Sequence, residues 1–100
     1  MAQLSILYWR DIPSQIVVKQ GRSNAKIMLS DRFQEAIDVA AMRDKAHDSD
    51  AYLEGWRRGE AETVEGDIEA VAATRAVEIE TAYDATRLRS LVVSGGREGV

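Results

Sequence analysis

Apolar and polar residues along the chain spell out three β-type stretches followed by three helical ones. Residues 4–10 are rich in Leu, Ile, Tyr and Trp and read as a strand with apolar groups on both faces. Asp11-Ile12-Pro13-Ser14 reads as a turn, since proline fixes φ and has no N–H to give a ladder. Residues 15–20 are β-branched enough for a second strand, and Gly21-Arg22-Ser23-Asn24 is a second turn signal. From 25 to 29, Ala25, Ile27 and Leu29 alternate with Lys26 and Met28, which predicts a third strand; the rival reading starts the first helix at 24. Ser30 then stands where an N-cap hydroxyl accepts a bond from a free backbone N–H. Phe33, Ala36, Ile37, Ala40 and Ala41 recur at helical spacing, which predicts a helix over 31–46 with a narrow, Ala-rich stripe. Asp48-Ser49-Asp50 caps a short second helix in which Tyr52, Leu53 and Trp56 share a face and which Gly59 ends. After a polar link at 60–66, Asp67 caps a third helix over 67–92. Its stripe runs Ile68, Ala72, Ala76, Ile79, Tyr83 and drifts to Leu88, Leu91 and Val92. The fold expected is α+β: a three-stranded antiparallel meander, then three helices, forming one domain over 1–93 with a flexible tail at 94–100.

The third helix would be about 40 Å long at 1.5 Å per residue, longer than so small a sheet is wide. It must kink, overhang or meet a second chain, so a homo-oligomer or a partner contact around Leu88 is expected.

Composition narrows the function. The chain of 100 residues is 45% hydrophobic and 30% charged, which is globular. It has no cysteine, so no disulfide framework and no thiolate metal site. The N-terminal stretch before Arg10 lacks a basic region and an Ala-x-Ala site, and no apolar run is long enough to span a bilayer; a cytoplasmic location away from the membrane is expected. The net charge of −4 argues against nucleic acid as a partner. That charge is uneven. Residues 60–84 hold eight acids against Arg75, whereas 19–32 hold Lys19, Arg22, Lys26 and Arg32 against Asp31. The second stretch is either a solvated face or a patch that steers a charged partner.

Catalytic chemistry is thinly represented. The only histidine, His47, sits in His47-Asp48-Ser49-Asp50, where an N-cap explains the residues better than a triad. His47, Asp48 and Asp50 make a poor metal set. Gly95-Gly96 lacks the strand–loop–helix setting of a phosphate loop. No catalytic residue, metal or cofactor is therefore assigned, and the chain is read as a non-enzymatic interaction protein. Two clusters join aromatics to arginine: Tyr8-Trp9-Arg10-Asp11-Ile12-Pro13 and Tyr52-Leu53-Glu54-Gly55-Trp56-Arg57-Arg58. Such residues either complete a small core under snorkelling arginines or form interface hot spots. Trp9, Arg10, Asp11, Tyr52, Trp56 and Arg57 are the candidate docking residues. Around Trp9 an apolar patch rimmed by Arg10 and Asp11 is expected, with Arg10 contributing little to folding.

These segments carry a resemblance. Tyr8-Trp9-Arg10-Asp11-Ile12-Pro13, Gly21-Arg22, Leu29-Ser30-Asp31-Arg32-Phe33, Ala36-Ile37-Asp38, Ala40-Ala41-Met42-Arg43, Asp50-Ala51-Tyr52-Leu53 and Trp56-Arg57-Arg58 resemble the "virulence factor" family of small bacterial proteins, a domain also found at the end of conserved virulence factor C. The likeness extends over roughly residues 3–92 and departs at Asp44-Lys45-Ala46-His47, where a helix-ending glycine is expected. It implies an accessory protein with another protein as partner. The alternative it implies is an accessory subunit for cobalamin- or folate-dependent methyl transfer, with a one-carbon methyltransferase component as partner. No corrinoid or folate site is legible in these residues.

Overall fold

The computed structural model describes residues 1–43, 45 and 50–97. Its architecture is α+β, an antiparallel sheet with four helices. Strands β1 (Ala2–Trp9), β2 (Ile12–Gln20) and β3 (Ser23–Met28) form the expected meander. Residues 24–28 are thus strand and not the start of a helix. The second hairpin turns on Gly21-Arg22, with Gly21 at φ +59°, a conformation glycine adopts at little cost.

The first hairpin is tighter than the sequence implies. Trp9 pairs with Ile12, so the loop is Arg10-Asp11, and Ile12-Pro13-Ser14 belongs to β2. Leu7 pairs with Gln15 but Tyr8 with Pro13, which leaves Ser14 as an extra residue, a bulge. Proline is tolerated at such a position because the ladder is already interrupted.

Two short strands extend the sheet beyond the meander. β4 (Trp56–Arg58) pairs with Leu7–Trp9, and β5 (Glu62–Val64) with Ala2–Leu4, both antiparallel along the same edge of β1. This corrects two expectations. The short helix ends at Gly55 and not at Gly59, so Trp56 lies on a strand and not on a shared face with Tyr52 and Leu53. The 60–66 link contains a strand. In both places the open edge of β1 offers backbone partners that override a weak local preference.

Helices α1 (Asp31–Arg43), α2 (Asp50–Gly55), α3 (Ile68–Ala82) and α4 (Ala85–Val93) complete the chain. The expected third helix is therefore two. It breaks at Tyr83-Asp84, where the Asp84 carboxylate accepts a bond from Arg87 N at 2.8 Å and starts α4. The overhang that pointed to a second chain is absent, and Leu88 is 5% exposed in the core. Asp67 caps α3 as expected, accepting from Ala70 N at 3.0 Å. Ser30 does something else: its hydroxyl donates to Glu80 Oε1 at 2.8 Å and its N–H to Oε2 at 2.7 Å, tying the start of α1 to α3. No helix among the described residues is long and apolar enough to cross a membrane.

The core joins Leu4, Ile16, Val18 and Ala25 of the sheet to Phe33, Ile37 and Ala40 of α1, Ala72 and Ile79 of α3, and Leu88 and Leu91 of α4. The stripe read for α1 is buried throughout, and that of the expected third helix is buried at Ala72, Ile79, Leu88 and Leu91 and half-buried elsewhere. The stripe of the short helix is not buried, since Leu53 is 68% exposed. α3 lies over β2 and β3, while α1 packs on α4 and on β2. Small Ala residues on α1 and α3 let the helices approach closely.

Candidate functional site: the hairpin tip and its arginines

The tip of the first hairpin is held from two sides. Arg10 N–H donates to Gly55 O at the end of α2, and Asp11 N–H to Gly96 O in the turn after α4, each at 2.7 Å. Arg10 has φ +56°, a strained conformation for a side-chain-bearing residue, costing roughly 1–2 kcal/mol. These backbone bonds and the Arg10 side chain, whose Nη1 donates to Gly95 O at 2.7 Å, hold it there.

Trp9 lies beneath the tip. It is 0% exposed, and its indole N–H donates to Tyr52 O at 2.8 Å. Two glycines give it room: a Cβ on Gly55 would stand 2.5 Å from Trp9 Nε1, and one on Gly96 would stand 2.9 Å from Cζ3. Tyr52 tilts against Trp9 at 5.8 Å between ring centroids and meets Trp56 edge-on at 6.0 Å. Gly96 also carries φ +89°, and its N–H closes on Leu91 O at 2.7 Å, a helix-ending turn. The segment expected to be a flexible tail is thus packed at Gly95 and Gly96, both buried. Burying the Trp9 indole supplies the reason: a large apolar group needs cover on every side.

Above the aromatics sit the cations. The Arg10 guanidinium lies 4.5 Å over the Trp9 ring, and that of Arg57 lies 4.5 Å over Tyr8. Arg57 Nε donates to Arg10 O at 2.8 Å and Nη2 to Asp11 Oδ1 at 3.0 Å. Arg10, Arg57 and Arg97, with Asp11 and Glu54, surround an open pocket of about 530 Å³ whose remaining lining is Ala51 and Gly55. Two of these guanidiniums, Arg10 and Arg57, are held in place by bonds and ring stacking, and planar, multiply donating groups of this kind are the chemistry that takes a carboxylate or a carbonyl-rich peptide surface.

All six candidate residues come together here, through the pairing of Tyr8 with Arg57 and of Trp9 with Trp56. Their roles divide. Trp9 is buried and cannot itself touch a partner, so the apolar surface patch expected around it is withdrawn; the two glycines and α2 cover it. Tyr52 and Trp56 are half-buried supports, while Arg10, Asp11 and Arg57 reach the pocket. Arg10 is also part of the fold, contrary to its reading as a dispensable rim charge. Leu53 points away, 68% exposed. Arg97 and Glu54 were not singled out as docking residues; the Gly95-Gly96 pair after an apolar helix was the sequence signal for a turn that brings Arg97 back.

Other ion pairs hold the framework. Arg32 Nη2 meets Glu80 Oε1 at 3.0 Å and the Glu80 carbonyl at 2.6 Å. Burial pushes the Glu80 carboxyl upward, but the bonds from Ser30 and Arg32 outweigh it and hold the group below its ordinary value. Arg75 clasps Glu62 at 2.8 and 3.1 Å, and its hydrogen bonds hold the Glu62 carboxyl below its ordinary value. His47, Asp48 and most of the 44–47 departure lie outside the described residues, and with them the metal set weighed with Asp50. Among the described residues no three His, Cys, Asp or Glu side chains gather as a metal would require.

Comparison with known proteins gives one family. A family model described as "Virulence factor" matches residues 7–92, a span that holds both aromatic–arginine clusters. No curated protein and no solved structure gives a significant match.

Proposed function

The chain belongs to the virulence factor family, and from that premise we propose that it is a small, non-enzymatic protein-interaction module that docks a partner protein at the hairpin-tip pocket. One observation carries the reading. Two aromatic–arginine clusters separated by 38 residues of sequence meet, and stacked rings hold their Arg10 and Arg57 guanidiniums around an open pocket. Tyr, Trp and Arg together are the residue types that dominate interface hot spots. A guanidinium has five N–H donors, and Arg57 uses two of its nitrogens within the chain, so donor capacity is left for a partner. Because Arg10 and Arg57 are already ordered, they lose little side-chain entropy on docking.

The test is capture of partners from native lysate by wild-type protein and by Arg57→Ala, Arg97→Ala and, as a control, Arg75→Ala. Arg10 is avoided because of its part in the fold. A partner retained by Arg75→Ala but lost by Arg57→Ala and Arg97→Ala, at melting midpoints close to wild type, is the expected result. Partners captured equally by all four proteins would refute docking at the pocket.

A further inference from the structure

The strand register defines the sheet face turned away from α3. Gln3 pairs with Lys19 and Lys19 with Asn24; Ser5 pairs with Val17 and Val17 with Lys26; Leu7 pairs with Gln15 and Gln15 with Met28. On the far side Arg58 pairs with Leu7 and Thr63 with Gln3. Cross-strand partners share a face. The alternate set, Leu4, Ile16, Val18 and Ala25, is the one that joins the helical core; Val17 and Leu7 lie outside that core cluster.

This second face has an unusual composition for a chain of net charge −4: Lys19, Lys26 and Arg58 stand on it, and none of the residues just named is acidic. All three cations are exposed, and none makes an ion pair or side-chain hydrogen bond among the described residues. Elsewhere Arg32, Arg57 and Arg75 are each bonded to a carboxylate. Arg22, exposed in the adjoining turn, adds to the same end. Amide side chains of Gln3, Gln15 and Asn24 fill the places between, and Met28 is 66% exposed.

We infer that this face is a second docking surface, independent of the pocket, and that its occupant is an extended acidic segment of a partner protein. Charge complementarity selects an acidic partner. Spacing selects an extended one: Lys19 and Lys26 occupy diagonal positions on adjacent strands, roughly 7–8 Å apart, and carboxylates two residues apart on a strand are separated by about 6.6 Å. Single-stranded nucleic acid is the rival polyanion. It binds sheets by stacking its bases on open aromatic rings. The register carries this face on to Trp9 and Trp56, but Trp9 is 0% exposed and Trp56 is half-buried against Tyr52, so no open ring stands beside Lys19 and Lys26.

The experiment is fluorescence anisotropy at low salt on the full chain. The probes are a labelled peptide of alternating Glu and Ser, its Lys-Ser counterpart, and an oligouridine of equal charge. Binding of the Glu-Ser peptide is expected, weakened about tenfold or more by Lys19→Glu with Lys26→Glu and by less than about twofold by Arg89→Glu on α4, an exposed cation elsewhere. The milder pair Lys19→Gln with Lys26→Gln is read alongside, so that loss of folding by the charge reversal does not decide the answer. No binding of the Glu-Ser peptide, binding unchanged by both lysine pairs, equal binding of the Lys-Ser peptide, or preference for oligouridine would each overturn the inference. Loss of pocket-dependent capture leaves this result untouched, since the two surfaces share no residue.

Discussion

The hairpin tip and the open sheet face both present cations, but in opposite physical states. At the tip, Arg57 is fixed by bonds to Arg10 O and Asp11 and by stacking on Tyr8, and Arg10 by Gly95 O and Trp9. On the face, Lys19, Lys26 and Arg58 carry long side chains with no partner among the described residues. A cation held by the chain has lost its rotamer freedom on folding; an unheld one loses it when something binds. The tip should therefore discriminate by shape, and the face by charge. Salt should weaken binding at the face more than at the pocket, because solvated charges are screened most.

The sharpest way to break this contrast is to disturb what fixes the tip. Gly55→Ala puts a Cβ 2.5 Å from an indole that is buried and hydrogen-bonded, so the ring cannot swing away. A loss of about 1–3 kcal/mol is expected from overpacking, with roughly 1 kcal/mol more for Gly96→Ala because of its positive φ. Urea unfolding measures both. Met28→Ala on the open face should cost far less, since Met28 is 66% exposed.

A second effect concerns the tie between α1 and α3. The Glu80 carboxyl is held below its ordinary value of 4.5, so its bonds to Ser30 and Arg32 contribute fully above its unfolded pKa. That contribution is lost as pH falls through the depressed folded pKa. Glu80→Gln is expected to cost about 1 kcal/mol near neutrality, and the gap from wild type should close as the pH is lowered below the ordinary carboxylate value. A gap that widens in acid would show that the bonds do not stabilise the fold.

The smallest effect is a reversal of sign. At Arg10, with φ +56°, glycine should be tolerated better than alanine by roughly 1 kcal/mol. At Lys26, in the regular strand β3, alanine should be the better tolerated. Thermal midpoints of Arg10→Gly, Arg10→Ala, Lys26→Gly and Lys26→Ala give the comparison; the same order at both positions would remove strain from the account of the tip.

Much of the fold was legible because its signals are local. Gly21 marks its turn, the stripe from Phe33 to Ala41 marks α1, and Asp67 marks the start of α3. The missed parts depend on distant chain. β4 and β5 have three residues each, too few for a periodicity, and form only because β1 has an open edge. The break at Asp84 had a local signal, an N-cap residue, masked by the many acids around it. At the site, both clusters were visible as sequence. Their meeting rests on the β1–β4 register, and the burial of Trp9 on glycines contributed by α2 and by the chain end. An exposed and a buried tryptophan look alike in a sequence.

Photo-crosslinking in living cells tests the central claim most directly. A benzophenone side chain is placed at Ala51, exposed on the rim of the pocket, and separately at Val77, exposed on α3. The account predicts a discrete protein adduct from Ala51, none matching it from Val77, and loss of the Ala51 adduct on Arg57→Ala in a chain that still melts near the wild-type midpoint. An Ala51 position that yields no adduct, or an adduct that persists undiminished with Arg57→Ala, would contradict it.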